Sequence, residues 1–187
     1  KRYLDFLENG SREGLTSAEL ADALLVSQKV GYEDVWDLRN AGDVLESGRK
    51  GGSVPGVYTD KIKWGIHEID VRPDGNGFWG QRIRQNNPRV DGYELKINPQ
   101  NESYYLPHPE GGYVQFENMI NSTVQDGKLV MQQKSFYHVN DMPDFAKNKV
   151  LEEARRQIDA AGAADYKVEW LVSDESAVNQ LTEFFKE

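Results

Sequence analysis

Hydrophobic positions recur along this chain with two different periods, and the change between them organises it. Up to about residue 60 the regular spacing is helical. Tyr3, Leu4, Phe6 and Leu7 form a short apolar stripe within residues 1–14. Thr16-Ser17-Ala18-Glu19 matches a capping box, in which the threonine hydroxyl and the glutamate each satisfy a free backbone amide. The apolar residues Leu20, Ala23, Leu24 and Leu25 then predict a helix of about three turns, stopped by Gly31. Tyr32 to Asn40 predicts another, with Val35, Trp36 and Leu38 inward. Residues 47–56 combine Gly, Ser and Pro and read as a linker.

Alternation with period two follows. Lys61 to Val71 predicts a strand, and residues 73–77 a turn. Pro88 opens a short helix carrying Tyr93, Glu94 and Ile97, which Pro99 ends. Strands are expected at Ser103–Leu106, Tyr113–Met119 and Lys128–Tyr137, with a polar loop between the last two. Val150, Leu151, Ala154, Ile158 and Ala161 form one stripe of a long helix over residues 144–161. Lys167–Val172 is a strand, and Ser173 or Asp174 caps a last helix through Phe185. From residue 88 the predicted order is helix, three strands, helix, strand, helix. That is an α+β or α/β domain, with the long helix able to cross over to a parallel partner strand. The domain reading is an N-terminal, mostly helical extension over residues 1–80 and a second domain over 81–187.

Composition changes this picture little. Mean hydropathy is −0.72, polar for a globular chain. Four tryptophans, nine tyrosines and seven phenylalanines still make a core feasible. No apolar run approaches the roughly 18 residues that span a bilayer. The chain has no cysteine, which excludes disulfide frameworks and thiolate zinc sites. The three histidines are scattered and do not suggest zinc. The net charge of −9 argues against a nucleic-acid binder with an overall basic face. That charge is carried by the two ends, and residues 82–156 hold as many basic as acidic side chains.

The candidate chemistry lies in that neutral middle. Gln132 and Lys134 share one face of the predicted strand, and Glu117 lies on the strand before it. An acid facing an acid-x-lysine pair is the metal-and-lysine arrangement of many phosphodiester-cleaving nucleases; here Gln132 stands where the second acid is expected. Glu94-Leu95-Lys96 is a rival acid-x-lysine pair, with Asp91 too close before it to lie on a separate strand. His138 is near enough in sequence to serve as a proton donor. Arg155, Arg156 and Gln157 either face phosphate or form an ordinary salt-bridged helix surface.

Several pieces carry a resemblance: Tyr93-Glu94, Tyr105-Leu106 before a glycine loop, Val114-Gln115-Phe116-Glu117, Gly127 to Lys134, Glu153 to Gly162, and Val168-Glu169-Trp170. Together residues 93–187 resemble the restriction-endonuclease-fold, PD-(D/E)xK-like toxin domains of bacterial polymorphic toxins. The resemblance implies an αβββαβ core and a nuclease acting on DNA or RNA in the cytoplasm of a competing bacterial cell. It implies delivery by a secretion system as the C-terminal module of a larger effector, and a cognate immunity protein in the producer. It assigns Mg²⁺ or Mn²⁺ to Glu94 and Glu117, places Gln132 as the second-acid position, and makes Lys134 the residue that orients the attacking water. Because Gln132 is neutral, the alternative is a catalytically degenerate domain that binds nucleic acid or a protein partner. An acidic immunity or adaptor protein is a third expectation.

Overall fold

The computed structural model describes the backbone of residues 24–28, and residues 58–130 and 137–186 in full. The helices predicted at 1–14 and 32–40 and the linker at 47–56 lie outside the described residues.

Among the described residues, two sheets and three α-helices make up a mixed α+β fold. Strands β1 (Leu24–Gln28), β2 (Asp60–Trp64), β3 (His67–Asp74) and β4 (Gly77–Gln81) precede helix α1 (Pro88–Ile97). Strands β5 (Glu102–Pro107), β6 (Tyr113–Phe116), β7 (Asn118–Ile120) and β8 (Thr123–Lys128) follow. Helix α2 (Asp144–Ala163), strand β9 (Lys167–Val172) and helix α3 (Glu175–Phe184) complete the order. One sheet runs β2-β3-β4-β5-β6 and is antiparallel throughout; the other runs β1-β9-β8-β7. The first sheet crosses residues 80 and 81, where the sequence places its domain boundary.

Three local expectations are corrected. Leu24–Gln28 is a strand paired parallel to β9, not part of a helix. A short apolar run such as Leu24-Leu25-Val26 serves either element, and tertiary pairing decides. Lys61–Val71 is a hairpin rather than one strand. Gly65 sits at φ +58 in the two-residue turn between Trp64 and His67, which reverses the chain where the alternation loses phase. β8 spans Thr123–Lys128, earlier than the strand expected at Lys128–Tyr137; Leu129 and Val130 are not in a strand, and residues 131–136 of that expectation lie outside the described residues. Its turn is Asn121-Ser122, both left-handed at φ +49 and +58, joining Ile120 directly to Thr123. Asn-Gly is the usual sequence for such a turn, and serine in the second place hid it.

The crossover follows expectation. β8 and β9 are parallel, so the chain must return along the sheet, and α2 provides the return. Val150, Ala154, Ile158 and Ala161 of α2 bury their stripe in the main core with Val124, Val168, Trp170, Leu181 and Phe185. Trp170 is fully buried, edge-on to Tyr137 and Phe185 at centroid distances of 6.1 and 5.6 Å. Asp174 caps α3 by accepting the Ala177 amide at 2.9 Å.

A non-glycine residue in the left-handed region costs about 1–2 kcal/mol, and glycine avoids that at some cost in chain entropy. Ser122→Gly is therefore expected to stabilise the protein by about 0.5–1 kcal/mol, read as a rise in the urea midpoint. An unchanged or lower midpoint would show that the turn is not at Asn121-Ser122.

Candidate active site

β6 and β7 are two halves of one strand path, broken at Glu117. The Glu117 amide still donates to Gln125 O of β8 at 2.9 Å, so the two sheets meet at this residue. Its carbonyl points elsewhere. It accepts from the side chains of Asn98 at 3.0 Å and Arg82 at 3.4 Å, and those same two groups also donate to Glu102 O at 3.0 and 2.9 Å. Asn98 follows the last turn of α1. The bend is thus pinned by side chains from both sides of α1, Arg82 before the helix and Asn98 at its C-terminal end.

Helix α1 lies close on β8 because Gly127 has no side chain. A Cβ there would meet Ile97 Cδ1 at 2.5 Å and the Tyr93 ring at 3.3 Å. The Tyr93 hydroxyl donates to Leu171 O at 2.8 Å and fixes the helix against β9. Glu94, the next residue, is brought to the same region, and its exposure is only 4%. Glu117 Oε2 accepts the Gly127 amide at 2.6 Å.

Asp126 and Lys128 flank Gly127 and share one face of β8. Lys128 Nζ donates to Asp126 Oδ2 at 2.5 Å and to Glu153 Oε1 of α2 at 2.6 Å, and lies 4.6 Å from the centroid of the Trp170 ring. Gln157, one turn beyond Glu153, donates to Asp126 and accepts from Trp170 Nε1. Burial works against the Lys128 ammonium, but Asp126 and Glu153 outweigh it and hold its pKa well above the usual lysine range. Lys128 is 3% exposed and fully charged.

The acids respond in the opposite sense. Burial raises Glu94 to about 7, with Asp126 and Asp91 adding to the rise and Arg82 opposing it. Burial also pushes Glu117 well above the ordinary carboxylate range, and the charges of Asp126 and Glu94 push it further. Glu94, Glu117 and Asp126 are therefore close enough to feel one another in a medium that screens poorly.

Of the site residues expected from sequence, Glu94 and Glu117 come together. Gln132 and Lys134 lie outside the described residues. Asp126 and Lys128 are the acid-x-lysine pair beside Glu117, and sequence reasoning missed them. The signal was present as Asp126-Gly127-Lys128, but with the strand placed from Lys128 onward the first two of these fell in the supposed loop. Glu94-Leu95-Lys96 lies on a helix, not a strand, and Glu94 belongs to the cluster without Lys96 as its partner on a shared strand face. His138 instead contacts Asp174 at 3.0 Å, at the start of α3. Arg156 donates to Tyr113 O at 3.3 Å.

Among the described residues no group of three or more histidines, aspartates and glutamates is disposed to hold a metal ion in this arrangement. Glu117 is occupied by the Gly127 amide, and Asp126 by Lys128 and Gln157. The donor chemistry is nevertheless that of hard cations, since carboxylate oxygens suit Mg²⁺ and Mn²⁺. Crowded acids that retain protons are the condition a divalent charge relieves. Comparison with protein-family models, curated proteins and solved structures finds no match. No helix of the described residues is long and apolar enough to cross a membrane.

Glu94 offers a direct test. Its folded pKa of about 7 exceeds the ordinary 4.5, so between these values the folded state binds more protons than the unfolded one. Stability is therefore lost as pH rises through that window, by up to about 3 kcal/mol. Glu94→Gln should remove this loss. In EDTA, urea unfolding near pH 8 should show the variant more stable than the unaltered chain, with the gap nearly closed at about pH 5. An equal difference at both pH values would contradict the assignment.

Proposed function

We propose that this chain is a metal-dependent nuclease of the restriction-endonuclease type, with Glu94, Glu117, Asp126 and Lys128 as its active residues. One observation carries the reading: an acid-x-lysine pair on a strand lies beside an acid at the bend of the neighbouring strand. The order around it supports the same reading. Helix α1, strands β5, β6–β7 and β8, helix α2 and strand β9 come in the αβββαβ order, with β8 and β9 parallel and β5–β6 in the other sheet from β7, β8 and β9. In this reading Asp126 and Lys128 take the roles that the sequence suggested for Gln132 and Lys134.

Glu94, Glu117 and Asp126 would hold Mg²⁺ or Mn²⁺. Bound there, such an ion lowers the pKa of a water and neutralises charge on a phosphodiester. The chain's own residues do the rest. Lys128 is held charged by two carboxylates, so it acts as a fixed cation for the charge that develops on the phosphoryl oxygens, not as the base. Glu153 and Gln157 position Lys128 and Asp126 from α2, and Trp170 holds Gln157 in turn. The biological setting follows from the resemblance: a toxin module delivered into a competing cell, acting in its cytoplasm and blocked in the producer by an immunity protein.

Incubation with plasmid DNA and with total RNA, in Mg²⁺ or Mn²⁺ and in EDTA, tests the chemistry. Cleavage should require the metal and fall by about 100-fold or more in Lys128→Ala and Asp126→Asn. Lys134→Ala should retain cleavage within a few-fold. Loss in Lys134→Ala but not in Lys128→Ala would return the role to the later pair. No cleavage of either substrate with either metal would instead favour a degenerate domain that only binds. Expression in a bacterial host should arrest growth, and Lys128→Ala should relieve it.

A further inference from the structure

Among the described residues, Arg72 and Arg82 each approach a buried acid, and they behave differently. Arg72 makes a paired contact with Glu102 through both terminal nitrogens, one at 2.9 Å, and Tyr58 adds a third donor at 2.9 Å. That is a complete internal ion pair. Arg82 is 8% exposed and sits against the carboxylate cluster, close enough for its charge to act on Glu94. Yet its Nε and Nη1 are buried without any hydrogen-bond partner. Only Nη2 is engaged, with Glu102 O and Glu117 O.

Those two carbonyls do not need Arg82. Asn98 Nδ2 donates to both at 3.0 Å. A buried donor left unmade costs about 1–3 kcal/mol, and more when charged. A guanidinium that satisfies nothing otherwise unsatisfied, and leaves two nitrogens idle, is therefore poorly explained as a structural part. It is well explained as a donor reserved for an acceptor that comes from outside. Beside a cluster of acids that acceptor is an anion delivered with its own cation, and guanidinium matches phosphate oxygens.

We propose that Arg82 is a substrate-binding residue that donates from Nη1 to a non-bridging oxygen of a nucleic-acid phosphate at this site. The inference rests on the nuclease reading. Gln85, three residues on, bonds to Glu94 Oε1 at 3.4 Å and, through its amide, to Asp91 Oδ1 at 3.3 Å. Both bonds are long, so Gln85 is weakly fastened there. Displacing Gln85 frees Glu94 Oε1, the acid on which the Arg82 charge acts.

Fluorescence anisotropy with short labelled oligonucleotides (single-stranded RNA, single-stranded DNA and duplex DNA) in Ca²⁺ tests this, run over a range of NaCl. Arg82→Gln should weaken binding about tenfold or more. It should also reduce the slope of log affinity against log salt by about 0.7–0.9, the loss of one phosphate contact. Because Asn98 keeps the two carbonyls satisfied, the variant's melting temperature should be unchanged or higher. Arg82→Lys retains the charge; it should keep the salt slope while binding more weakly, and it serves if Arg82→Gln does not fold. Binding and salt slope equal to those of the unaltered chain in these variants would overturn the role of Arg82 alone. Failure of the unaltered chain to bind or cleave any of the oligonucleotides overturns the nuclease reading and this inference with it.

Discussion

The structure depends on holding one ammonium group inside it. Lys128 lies at the end of β8, between the sheet and α2, where an isolated charge would cost several kcal/mol in lost hydration. Asp126 on its own strand, Glu153 on the crossover helix and the face of Trp170 together offset that cost. Each partner comes from a different element, so the ion network also determines where α2 sits on the sheet. Gln157 extends the same network one turn along α2 to Asp126 and Trp170. The crossover is thereby keyed by polar contacts within an otherwise apolar interface, whose Val150, Ala154 and Ile158 could slide more freely.

The neighbouring acids sit under the opposite condition. Lys128 is provided with two carboxylates, while Glu94 and Glu117 compete for what positive charge remains. Burial and mutual repulsion leave both acids inclined to keep a proton. A protein selected for stability alone would replace such groups with apolar ones of similar size, often without loss. Their presence at a sheet bend, pinned by Asn98 and Arg82, concentrates unfavourable electrostatics in one place. Perturbed groups gathered in this way are characteristic of functional sites. The arrangement also separates roles by environment: a lysine fixed in its charged form, and a glutamate poised near neutrality.

Legibility in the sequence followed the strength of each local signal. Helix α2 and strand β9 were readable because a long 3.6-residue stripe and a short β-rich run have few competitors. Helix α1 was readable from Pro88 and Pro99. The hairpin at Gly65 and the turn at Asn121-Ser122 were not, since both reverse the chain without the usual asparagine–glycine pair. Placing β8 five residues late puts Asp126 and Gly127 in a loop, so the sequence shows Gln132 and Lys134 in place of the pair Asp126 and Lys128. Glu94 and Glu117 lie in one buried cluster wherever that strand starts. Arg82 gave no signal at all. Its meaning lies in two unengaged nitrogens and in Asn98 duplicating its bonds, which only coordinates reveal.

The acidic character of the chain gains a physical sense from this layout. A surface of net negative charge repels nucleic acid at long range, within a screening length of roughly 8–10 Å. On the proposed nuclease reading, recognition would come not from a broad basic face but from charges held where water is excluded and each is worth more. Lys128 and Arg82 are such charges, both nearly inaccessible and both beside the same acids. One is neutralised internally by carboxylates that also shape the site, and the other keeps its donors unspent. On that reading, weak attraction in solution and strong interaction at the cleavage point would be separable properties, the first set by the acidic ends of the chain and the second by the bend at Glu117.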